Sequence, residues 1–149
     1  MCCRFIRTSS GMGRCCVRND DTTKTGLAKY RLEQARECLD TAVREVEGGS
    51  YKCAANRSYY CIFHAMRAVL AIDGFDSKKH SGIIAVFRQR YIKTGIFPAE
   101  FSRMIDAAFE TRGDSDYEDF FVIAKEEVAE QIENAKTFLS AVDAYVKAL

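Results

Sequence analysis

A chain of 149 residues is long enough to form one domain around its own core, so neither a metal nor a disulfide framework is required for folding. Apolar residues make up 48% and charged residues 29%, which excludes a disordered chain, and no apolar run approaches the roughly 20 residues of a membrane span. The formal net charge of +1 leaves no global field to draw the protein to nucleic acid or to a membrane, so any anion site has to be a local patch.

The opening stretch, "MCCRFIRTSSG", lacks the apolar segment of a secretory signal, and a cytoplasmic protein is expected. Seven cysteines is an odd count that argues against complete disulfide pairing. Cys38, Cys53 and Cys61 fall among helical apolar positions, where a reduced thiol acts as a small hydrophobe. Cys2, Cys3, Cys15 and Cys16 form two adjacent pairs, an awkward arrangement for tetrahedral ligation, so no metal and no cofactor is expected.

Residues 1–24 hold no steady period and are rich in Arg, Ser, Thr and Gly; they read as a mobile tail ahead of a domain over 25–149. From Leu27 the steps become helical and run to Gly48-Gly49, which gives a first, amphipathic helix. A second helix spans about Tyr51 to Asp73, with Gly74 as its stop, and is apolar most of the way round, as in the central helix of a bundle or a subunit interface. A third, capped by Ser77 or Ser81, covers about 81–92. Pro98 suits the first turn of a fourth helix, and the segment "TRGDSDYED" is expected to break it. A last long helix runs from about Asp119 or Val122 to Val146. No stretch sustains a period of two. The fold class is all-α, an antiparallel bundle of four or five helices.

Within the second helix, "NRSYYCIFH" puts Arg57 and His64 seven residues apart, about two turns, so both share one stripe with Tyr60. A guanidinium in so apolar a helix has to reach solvent, pair with a carboxylate such as Asp106 or Asp116, or meet a phosphate. In the first reading Tyr59 and Tyr60 are packed aromatics and His64 bonds a backbone carbonyl. In the second, Arg57 is a forked phosphate ligand, Tyr60 a stacking surface or hydroxyl donor, and His64 a second donor or proton shuttle. His80, beside Lys78 and Lys79, suits phosphate as well, or else bonds the loop backbone at a helix start.

The segments "AANRSYYCIFHAMRAVL", "KKHSGIIAVF", "YIKTGIFPAEF" and "TRGDSDYEDF", in that order, resemble the small single-domain prokaryotic members of the HEPN family over about residues 27–147. The resemblance implies a helical bundle that forms a homodimer, is encoded beside a minimal nucleotidyltransferase as a toxin and antitoxin pair, and contacts nucleotide or RNA without any membrane association. Catalytic HEPN ribonucleases carry an R-x4–6-H motif at the matching place, where this chain has Arg112-Gly113-Asp114-Ser115-Asp116-Tyr117: the arginine is present and the histidine is not. The composite site implied is Arg57, Tyr60 and His64 facing Arg112, Asp116 and Tyr117, with His80 nearby. Three functions follow: a nucleotide- or RNA-binding component of such a pair, a metal-independent ribonuclease that uses Arg112 with His64 or His80, or a helical dimerisation module with no ligand.

Overall fold

The computed structural model describes residues 21–117 and 119–149. Among them lie five α-helices, α1 (Asp21–Glu47), α2 (Tyr51–Ile72), α3 (His80–Phe87), α4 (Glu100–Tyr117) and α5 (Lys125–Lys147), with a π-helical turn over Arg88–Ile92 that prolongs α3. No strand occurs among the described residues, and the all-α bundle expected from the periodicity is what forms. No described helix is long and apolar enough to cross a membrane. Residues 1–20, which hold the paired cysteines and most of the expected tail, lie outside the described residues.

Glycines set the two ends that matter most for the site. Gly49 (φ +84°) closes α1, with the N–H of Ser50 donating to the carbonyl of Glu45 and the N–H of Gly49 to that of Val46. Gly74 (φ +75°) closes α2 in the same way, through Phe75 to Leu70 and Gly74 to Ala71. Both are left-handed helix stops that a side chain would strain. The first folds α2 back along α1 within three residues, and the second delivers Asp76 to the flank of α2.

Thirteen of the 22 residues of α2 are buried, which confirms it as the central helix. Tyr59, Ile62, Met66, Val69 and Leu70 meet Phe87, Phe101, Phe138 and Val142 in the main core. A second cluster, Ala42, Ala54, Ala55, Ile123, Val128 and Ile132, seals the other end of the bundle. Between the two, buried Gln131 of α5 donates to the carbonyl of Ala55 (2.8 Å) and meets Ser58 Oγ at 2.6 Å, a polar bolt that fixes the register of α5 on α2.

Four boundaries differ from the sequence expectation. Helix α1 begins at Asp21, ahead of Leu27, because its first turns are polar and carry no apolar period to reveal them. The N-cap of α3 is Lys79, and neither serine caps the helix; Ser77 Oγ instead accepts the N–H of Lys79 at 3.2 Å. Helix α4 does not break at "TRGDSDY" but runs through it to Tyr117. The local cost of Gly113 is outweighed there because Ser115 is buried and its hydroxyl bonds back to the carbonyl of Arg112 (3.1 Å), while Thr111 bonds back to Ala107 (2.8 Å). Helix α5 starts only at Lys125, with Ala124 as its N-cap; the N–H of Ala124 donates to Glu127 at 3.0 Å.

Candidate anion-binding site on the central helix

Because α2 is surrounded, few of its residues reach solvent. Beyond Cys53 and before the last residue, Ile72, those that are not buried are Asn56, Arg57, Tyr60, His64 and Arg67. Steps of three and four align them in one stripe, flanked by α1, the start of α3 and the end of α4. The polar residues of α2 therefore lie where the bundle leaves its central helix open, which explains their presence in so apolar a segment.

Two guanidinium groups from distant parts of the chain meet over one aromatic ring. The Arg57 guanidinium lies 5.1 Å from the centre of the Tyr60 ring, and that of Arg112 lies 6.0 Å from the same centre and 5.8 Å from that of Tyr59. The electron-rich faces of the tyrosines hold both cations without neutralising them. Arg57 makes no ion pair with a carboxylate among the described residues; its one hydrogen bond goes to the side-chain oxygen of Asn56, at 3.3 Å. Asp116 is engaged by Asn56 (3.2 Å) and by Arg112, whose Nε lies 3.2 Å from Oδ2. That approach is off the N–H axis, so the buried Nε–H of Arg112 has no hydrogen-bond acceptor. Asp106, the other carboxylate considered for Arg57, pairs instead with Arg88.

The histidines occupy different settings. His80, the first residue of α3, stacks on Phe63 with centroids 4.1 Å apart, and its Nδ1 shares a 2.7 Å hydrogen bond with the Tyr59 hydroxyl rather than with the loop backbone. Burial and the charges of Arg112 and Arg67 lower its pKa. Burial also keeps the Tyr59 phenol protonated, its pKa raised despite the cation of Arg112. His64 lies beside Tyr60 and Phe63, and its buried Nδ1 has no hydrogen-bond partner. Burial, then the charges of Arg67, Arg31 and Arg57 and the nearby His80, bring its pKa down to about 4. Both rings are thus neutral near pH 7.

At the other end of the stripe, Asp76 accepts from Arg31 at 2.8 Å and from Arg67 at 2.9 and 3.0 Å. Burial opposes its ionisation, but the bonds from Arg67, Ser77 and Arg31 outweigh that and hold its carboxyl below the usual range. Along the whole stripe four guanidinium groups, those of Arg31, Arg57, Arg67 and Arg112, face the two carboxylates of Asp76 and Asp116. Among the described residues the excess is positive, and Arg57 is the one of the four that pairs with no carboxylate. Below Arg57 a cleft of about 660 Å³ opens between the start of α2 and residues 121–123, ahead of α5. Such a surface can bind an anion with forked donors at neutral pH.

The pattern of the HEPN domain matches residues 28–145. The chain belongs to the HEPN domain family. A UPF0332 protein of Thermotoga maritima is 32% identical over 126 residues, 85% of this chain and 96% of that one. A Methanocaldococcus jannaschii protein named as a candidate toxin is 29% identical over 115 residues, 77% of this chain and 78% of that one. The crystal structure of an archaeal HEPN homologue shares the fold, with a TM-score of 0.63 at 21% identity over 80% of this chain and 97% of that chain.

Of the residues singled out in this HEPN sequence, Arg57, Tyr60, Arg112 and Asp116 come together directly, and His80 joins them through Tyr59. His64 touches the group through Tyr60. Tyr117 stands apart, 83% exposed and in none of these contacts. Cys53, expected at an apolar position, is exposed, while Cys61 is buried and its thiol is pushed up to about 12. Tyr59, expected as a packed aromatic, is fully buried and also holds His80; the residues not foreseen are Arg31, Asn56, Phe63, Arg67 and Asp76. Arg67 was within reach of the sequence, since it continues the 57–60–64 stripe by three residues. Arg31 and Asp76 were not, because their meeting depends on how α1 lies against the α2–α3 loop.

Proposed function

We propose that this HEPN protein is the nucleotide- or RNA-binding component of a two-protein toxin and antitoxin pair, a homodimer that works with a minimal nucleotidyltransferase. The observation that carries the binding half is the convergence of Arg57 and Arg112 on Tyr60, with no carboxylate paired to Arg57 among the described residues. A phosphate would take the forked donors of Arg57, with the Arg112 guanidinium adding positive charge from beside it, and the Tyr60 ring would remain as a stacking surface. The pairing half rests on family resemblance and on relatives named as candidate toxins. Titration of the purified chain with AMP and with a short single-stranded RNA tests the first half: saturable binding that weakens in Arg57→Ala supports it, and no binding of either ligand leaves a dimerisation module. Co-purification with the product of the adjacent gene tests the second.

A metal-independent ribonuclease is the second reading, favoured by one feature. His80 is held by Tyr59 on the same ring system that carries Arg112, an arginine and histidine set assembled from separate segments. In that reading His80 takes the proton of a 2′-hydroxyl as its oxygen bonds to phosphorus, the 5′ oxygen leaves and is protonated by water, and Arg112 steadies the charge on the phosphate. RNA cleavage in the presence of chelator, lost in His80→Ala and retained in His64→Ala, would select it.

A further inference from the structure

The stripe accounts for an anion, but not for the cleft that begins beside it. This cleft, about 660 Å³, falls within the range of small-molecule sites, roughly 300–1,000 Å³. Arg57, Asn56 and Asp116 form its inner end, where the stripe begins, and Lys52 adds a second cation. Its other walls are largely apolar: Tyr51 from the first turn of α2, and Phe121, Val122 and Ile123 ahead of α5. Tyr51 and Phe121 are each half-buried and packed against the second core cluster, which fixes their rings. Among the described residues neither ring stacks on another aromatic, in contrast to Tyr59, Tyr60 and Phe63, which stack on one another and on His80. Val122, 88% exposed, lies at the rim.

We propose that this cleft is a nucleobase pocket: a nucleoside monophosphate, free or at the end of an RNA strand, places its phosphate on Arg57 and its base against Tyr51 and Phe121. The proposal rests on the phosphate reading of Arg57 given above. Two anchored aromatic faces without partners suit a flat heterocycle, and the Asn56 and Asp116 side chains at the inner end offer amide and carboxylate groups to its edge. An aliphatic phosphate could bury its chain on these walls but would gain neither ring stacking nor hydrogen bonds to an edge. Selectivity for a base over a bare sugar phosphate is what the cleft adds to the stripe.

Cys53 provides the readout, because it is exposed and lines the same cleft. The rate of its alkylation by iodoacetamide, followed by peptide mass mapping in the full chain, is measured with AMP, GMP, ribose 5-phosphate and inorganic phosphate, alongside calorimetric affinities. A nucleotide should slow Cys53 alkylation and bind about tenfold or more tightly than ribose 5-phosphate, and Val122→Trp, which fills the cleft from its rim, should erase that difference while sugar phosphate still binds. If ribose 5-phosphate binds as well as the nucleotides, or if bound nucleotide leaves Cys53 alkylation unchanged, the pocket is wrong and the phosphate site stands. If none of the four ligands binds, the phosphate reading falls and the pocket with it.

Discussion

Arg57 and Arg31 carry the same side chain to opposite ends, and burial decides which does what. Arg31 is only 6% exposed and holds both Asp76 and the carbonyl of Arg67, at 3.0 Å, so its loss strips charged hydrogen bonds from an interior site. Arg31→Ala should cost about 1.5–3 kcal/mol in urea unfolding. Arg57 gives up one long hydrogen bond and a cation–π contact, so Arg57→Ala should cost only about 0.5–1 kcal/mol in the same assay while ligand binding falls. A structural role for Arg57 would reveal itself as a stability loss equal to that of Arg31. His64 belongs to this scale as well. In the unfolded chain its imidazole takes a proton near 6.5, and in the folded chain only near 4. Between those values the unfolded state binds more protons, so the stability present above 6.5 drains away as pH falls through the window. Thermal unfolding from pH 7.5 to 4.5 should therefore show a steeper loss in the wild type than in His64→Gln; parallel curves would mean that the ring is not held neutral.

At the scale of elements, α4 and α5 show tertiary contacts overriding local preference. Gly113 sits inside α4 with open space where a Cβ would go and without a positive φ. Gly113→Ala should stabilise the protein by about 0.5–1 kcal/mol, read as a higher melting temperature, and a lower one would show that α4 does not continue through this segment. Gln131→Ala removes the bolt between α5 and α2 and should destabilise by about 1–3 kcal/mol in urea unfolding. The long apolar run of α2, broken by a single polar stripe, and the one-sided apolar period of α5 can be read directly from the chain. The polar first turns of α1 are not, because solvated helix carries no periodic mark. The continuation of α4 is hidden for a different reason: Thr, Gly, Asp and Ser are all turn formers, and only the burial of Ser115 against the bundle turns the balance.

For the whole molecule, the bundle encloses α2 on all but one stripe, and that enclosure converts a few polar residues into a site. The stripe was legible as Arg57, Tyr60 and His64 because their spacing lies within one helix. The approach of Arg112 depended on recognising the family order of segments, and the Asp76 cluster depended on packing that no local pattern encodes. The near-neutral total charge gave no hint of it either, since a whole-chain sum of +1 does not show where charges of one sign gather. The central claim is that the guanidinium groups of Arg57 and Arg112 together hold phosphate. The most direct measurement is the binding of a labelled single-stranded RNA over a series of KCl concentrations by the wild type, Arg57→Ala, Arg112→Ala and, as a remote control, Lys136→Ala, whose ammonium pairs with Glu133 on α5. Each arginine variant should bind more weakly, with a log–log salt slope shallower by roughly 0.7, and the control should match the wild type. Wild-type affinity and slope in both arginine variants would contradict the account.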